Sequence, residues 1–182
     1  NKITATKSGY EKEKAAAAAT AKEVDADVGE LKTLYDKVQP VFARATGYVS
    51  HYNDLKTLEE IISKIEEFEN NNLNTIKTKL QEFSSKYGST EDEIDKNADA
   101  KGFINNYYRA SYPYRELTNG IKNVSKTRDV MAEDIVRRTK EELNSISKGG
   151  GDFPILERYQ KLKDWLKMAV RFQPENPKVK EL

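Results

Sequence analysis

"VDADVGELKTLYDKVQPVFARA", Val24 to Ala45, decides the fold. Within it Val24, Val28, Leu31, Tyr35, Val38, Phe42 and Ala45 follow one another at alternating steps of four and three. A half-buried strand would alternate every second residue. This cadence is that of an α-helix laying one apolar seam lengthwise on a partner. The seam extends back to Ala21 and Ala17 and forward to Val49 and Tyr52. "EKEKAAAAATAKE", residues 11–23, feeds into it with strong helix formers. From Tyr10 to Tyr52 such a helix would run roughly 60 Å. Pro40 removes one backbone donor and Gly47 weakens the helix again nearby. The seam keeps its phase across Pro40, so a kink is expected there and not a stop.

Working outward, "TLEEIISKIEEF" opens with Thr57 and Glu60 at capping-box spacing. Leu58, Ile61, Ile62, Ile65 and Phe68 form one stripe, and Leu73, Ile76, Leu80, Phe83 and Tyr87 a second. "ENNNLN" between them shifts the phase by about one residue. Early glutamates and late lysines suit one macrodipole, so a single irregular helix is expected. "YGSTEDE" reads as a stop at Gly88 and a new start capped by Ser89 or Thr90. Phe103, Ile104, Tyr107 and Tyr108 read as the end of that helix face, with Pro113 forcing a boundary or kink. Leu117, Ile121, Val124, Met131, Ile135, Leu143 and Ile146 mark a further long helix ending before Gly149.

Gly149–Gly151 reads as a hinge. Beyond it, Asp152 and Pro154 suit a helix start. Ile155, Tyr159, Leu162, Leu166 and Val170 read as its seam, with Trp165 beside it, and the helix is expected to end at Pro174. No run reads as a strand, and no 34-residue period runs through the chain. The expected fold is all-α: an elongated antiparallel bundle of three to four long helices plus a shorter C-terminal helix. The organisation expected is a long-helix bundle over 1–148, a hinge at 149–151, and a C-terminal helix and tail over 152–182 packed on the same domain.

Composition fits that architecture. Of 182 residues, 37% are hydrophobic and 34% charged, a balance suited to long helices that each face water along one side. Lysine plus arginine (31) nearly equals aspartate plus glutamate (30), so no global field draws nucleic acid or membrane. Without cysteine, thiol catalysis, disulfides and thiolate metal sites are all excluded. No run approaches the ~20 apolar residues of a membrane span. "NKITATKSGY" holds no apolar signal core, and it and the closing "PKVKEL" read as cut or processed ends.

Chemistry is sparse. His51 is the sole histidine, with Asp54 the nearest carboxylate at helical ligand spacing, and reads as a helix-end residue and not a metal ligand. Phosphate-binding Gly loops, nucleophile elbows and HExxH are absent. Arg137, Arg138 and Lys140 sit among Glu133, Asp134, Glu141 and Glu142, which helical charge pairing explains without nucleic acid. "NVS" at Asn123 falls inside a helix and carries no weight.

One cluster stands apart. "YYRASYPYR" places Tyr107, Tyr108, Arg109, Tyr112, Tyr114 and Arg115 around Pro113, four of the chain's ten tyrosines in nine residues. Tyrosines with covering arginines close a helix junction, and the same residue types dominate interface hot spots. The reading is a non-catalytic helical interaction or scaffold module, without metal or cofactor, taking a protein partner. Its setting is the exposed soluble domain of a bacterial surface or envelope protein, inferred from the cysteine-free, Lys/Asn/Tyr-rich composition. The alternative is a domain that binds a glycan or small molecule through those six residues. Self-association through the first seam is a third route.

Overall fold

The computed structural model describes residues 2–46, 55–149 and 154–181. Among them the fold is all-α, with no strand. Helix α1 spans Lys2–Thr46, α2 Leu55–Phe68, α3 Asn74–Tyr87, α4 Glu91–Ala100, α5 Ser111–Ser147, α6 Ile155–Phe172 and the short α7 Pro177–Lys180. Gly47, Val49, His51, Tyr52, Gly150, Gly151 and Asp152 lie outside the described residues.

The seam that opened the sequence is buried where it matters. Val24, Val28, Leu31, Val38, Phe42 and Ala45 are all inside, and Tyr35 is half-buried. Ala17, by contrast, is exposed and Ala21 half-buried, so the packed part of α1 begins later than the repeat does. Pro40 lies within α1 without ending it.

Between α2 and α3 the backbone makes a π-helical turn, Glu69–Leu73, that buries none of its residues. The interval of five from Phe68 to Leu73 in the apolar stripe is the spacing such a turn creates. Leu58, Ile61, Ile62, Ile65 and Phe68 are buried before it, and Ile76, Phe83 and Tyr87 after it. Thr57 is not a cap, because Leu55 and Lys56 before it are already helical. The capping box is at α4 instead. There Thr90 accepts from the Glu93 N–H, while the Glu93 carboxylate accepts from the Thr90 N–H at 3.1 Å and the Ser89 N–H at 3.0 Å. Gly88 turns the chain into it at φ 113°.

Two compact units interleave along the chain. The first comprises Asn1–Pro40 and Glu69–Gly120, the second Val41–Phe68 and Ile121–Leu182. In the first, Val28, Ile76, Ile94, Ala98 and Leu117 are fully buried. In the second, Ala132, Ile135 and Val136 of α5 pack with Trp165 and Ala169 of α6 and Val179 of α7. Phe42 and Phe68 meet edge to face in that unit at 5.3 Å between centroids, and the Thr127 hydroxyl donates to the Ala45 carbonyl at 2.9 Å.

The last helix departs from its expected seam. The buried stripe is Arg158, Leu162, Trp165, Ala169 and Phe172, so of the expected set only Leu162 is inside. Ile155, Tyr159 and Val170 are exposed and Leu166 is half-buried. Arg158 can go inward because its guanidinium donates to Glu142 Oε1 at 2.7 Å and to the Ser145 hydroxyl at 2.9 Å. Leu143 of α5 is likewise exposed, at 39%. After Phe172 the chain continues into α7, which the sequence reading did not anticipate. Asn176 caps it by accepting from the Lys178 N–H at 2.9 Å, and Pro177 takes its first position.

Candidate functional site

The candidate residues lie on the segment between α4 and α5, within the first unit. Phe103, Ile104, Tyr107 and Tyr108 do not finish a helix face, as expected from sequence; they form a loop. The stop comes from Gly102. With φ 89° it serves as the left-handed residue just past α4, where its N–H donates to the Asp99 carbonyl at 2.9 Å and the Phe103 N–H to that of Ala98 at 3.0 Å. That paired closure satisfies the last carbonyls of α4 and turns Phe103 inward. A side chain at 102 would also press on Ala21 of α1, at 3.3 Å from its Cβ.

Past Phe103 the loop reverses. Asn105 Oδ1 accepts from the Tyr107 N–H at 2.8 Å and the Tyr108 N–H at 3.3 Å, a side-chain-closed turn. Asp95 on α4 then anchors the far end, accepting from the Ser111 N–H at 2.9 Å and meeting Arg109 Nη1 at 3.5 Å. Pro113 sits in the first turn of α5, where its missing N–H costs nothing because no carbonyl precedes it in the helix.

This scaffold divides the six candidates. Tyr112 stands edge-on to Tyr35 of α1 at 6.0 Å, faces Tyr108 at 5.8 Å, and lies under the Arg115 guanidinium at 5.5 Å. Tyr114 stacks with Phe83 at 6.0 Å. Arg115 pairs with Glu91 at 3.2 Å and Glu116 at 3.0 Å, which hold its pKa above the usual value, Glu116 contributing most. These three, with half-buried Tyr108, close the junction. Burial, reinforced by the Tyr112 hydroxyl, raises the Tyr35 pKa as well.

Tyr107 and Arg109 are different. Tyr107 is 93% exposed, and the Arg109 side chain 81%. Ile104, 85% exposed, joins them and was not among the sequence candidates. Its signal was available: Gly102 two residues upstream marks a helix stop, after which an aliphatic residue has no seam to join. Two shallow depressions flank the loop. One, of about 520 Å³, is lined by Asp95, Asp99 and residues 103–109, and includes the amides of Asn105 and Asn106. The other, of about 460 Å³, runs from Lys32 and Glu91 to Tyr112 and Arg115.

Elsewhere the two arginines of the basic cluster pair within α5, and Lys140 meets Glu181 at 3.8 Å. Arg137 bonds Glu141 at 2.7 Å and Asp134 at 2.5 Å, and Arg138 bonds Asp134 at 2.8 Å. Among the described residues no group of three or more His, Asp or Glu could hold a metal ion, and no helix is long and apolar enough to cross a membrane. No family model, curated protein or solved structure matches this chain.

Proposed function

We propose that this chain is a non-catalytic helical interaction module whose loop 103–109 is the contact point for a protein partner. One observation carries the reading: Ile104 and Tyr107 are almost wholly in water on a loop braced from both ends. Ordering a loop costs free energy on binding, and a pre-ordered one avoids that cost. An exposed tyrosine beside an isoleucine and an arginine has the composition of an interface anchor. The composition-based setting remains a bacterial surface or envelope.

A photo-crosslinking residue placed at 107 in the source cells tests it. One protein captured from 107 and from 104, but not from Lys96 on α4, is the expected result. Capture that persists when Ile104→Ser is combined with the crosslinker at 107 would count against the loop as the determinant. A second reading, glycan binding, is favoured by the depression where Asp99, Asn105 and Asn106 adjoin Tyr107. Binding on a glycan array that Tyr107→Ala abolishes would replace the first reading with the second.

A further inference from the structure

Helix α6, in the second unit, holds more apolar surface than its fold covers. Leu162, Trp165, Ala169 and Phe172 face the core. Roughly a quarter turn around the helix lies a second stripe. Ile155, Tyr159 and Val170 are 59%, 49% and 52% exposed, Leu156 at its edge is 82% exposed, and half-buried Leu166 lies between. The steps from Ile155 to Tyr159, Leu166 and Val170 are four, seven and four, which keeps all four within about 60° of one another around the helix, a stripe narrow enough for one packed helix to cover. A helix lying in a membrane surface presents a broader continuous apolar face than this.

The outer edge of the stripe is basic. Lys163 and Lys167, one turn apart, are both exposed, and neither makes an ion pair among the described residues. Nearby Arg171 is already held by Glu66 at 2.5 Å. An antiparallel second copy of α6 would set this lysine edge against itself, because antiparallel helices bring like edges together. A helix with glutamates at its flanking positions meets the same edge with opposite charge.

We propose that this stripe is a docking seam for an acidic amphipathic helix of another chain, separate from the loop at 103–109. Its apolar residues would cover Ile155, Tyr159 and Val170, and its carboxylates would pair with Lys163 and Lys167. The test uses the full chain and two fluorescent four-heptad peptides with leucine at a and d, one carrying glutamate and the other lysine at e and g. Anisotropy should show the glutamate peptide binding about tenfold more tightly than the lysine one. Lys163→Glu with Lys167→Glu should invert that preference. Leu156→Ser with Tyr159→Ser should remove binding of both peptides without lowering the melting temperature.

Binding of neither peptide, equal binding of both, or a preference unchanged by the charge reversal would overturn the proposal. So would sedimentation showing a dimer that Tyr159→Ser dissociates, which assigns the seam to a second copy. Co-sedimentation with phosphatidylglycerol vesicles that Leu156→Ser abolishes would overturn it in favour of a membrane surface.

Discussion

Asp95 caps a helix it does not belong to: its Oδ1, on α4, accepts the backbone N–H of Ser111, the first residue of α5, at 2.9 Å. The first N–H groups of a helix have no carbonyl behind them and need an outside acceptor. Because Ser111 is buried, water cannot serve instead. The bond therefore fixes both the start of α5 and the end of the loop that carries Tyr107.

Asp95→Ala should cost about 1 to 2 kcal/mol, the usual loss on removing a cap. Asp95→Asn keeps an acceptor for Ser111 and gives up only the charge facing Arg109. That pair is exposed on the arginine side and 3.5 Å long, so its loss should be small. Urea melts of the two variants should therefore separate, with Asn near the parent. Equal losses would mean that charge, and not the cap, is what Asp95 supplies.

The tyrosines should separate by role. Tyr107→Ala should leave thermal stability unchanged, because almost none of the ring is covered. Tyr112→Ala should cost about 2 kcal/mol, since its half-buried ring contacts Tyr35, Tyr108 and Arg115. Should the Tyr107 variant prove the less stable of the two, the division of the cluster into anchor and junction is wrong.

Alkaline pH should weaken the first unit through Tyr87. Burial chiefly, then the hydrogen bond donated to Asp27 at 2.9 Å, raises the pKa of its hydroxyl above the usual tyrosine value. Below about pH 10 both folded and unfolded chains keep this proton, and the contribution is whole. Above that the unfolded chain ionises first, so stability falls as pH rises. Tyr87→Phe should cost about 1 kcal/mol at neutral pH from the lost hydrogen bond. It should also decline less between about pH 10 and 11.5 than the parent. Parallel declines in chemical denaturation across that range would rule Tyr87 out as the source.

Gly88→Ala should be strongly destabilising. At φ 113° an L side chain is strained, and its Cβ would stand 2.5 Å from Glu93 Cβ, in the middle of the capping box. A loss of about 1 to 3 kcal/mol is expected in equilibrium unfolding. A neutral result would show that the α3–α4 turn can be rebuilt without glycine.

Much of this was legible in one dimension. The four-three cadence from Val24 to Ala45 predicted both the helix and its buried face, because seven positions repeating in phase leave only one side to cover. The five-residue step from Phe68 to Leu73 announced a change of phase, which the backbone realises as a π turn. Gly88 and Thr90 marked a stop and a start through conformational and hydrogen-bonding demands that are local.

What needed the tertiary structure was any choice between faces that look alike in sequence. Helix α6 carries two adjoining apolar stripes, and periodicity favoured the one the fold leaves in water. The other went inside because Arg158 found Glu142 and Ser145, and Trp165 found Ala132, Ile135 and Val136, partners between roughly ten and thirty residues away along the chain. The tyrosine cluster was divided in the same way. Tyr107 and Tyr112 are the same residue type five positions apart, and only the approach of Tyr35 and the Asp95 anchor put one in the junction and the other in solvent. A sequence states which surfaces are apolar; which of them is covered depends on what else the chain brings alongside.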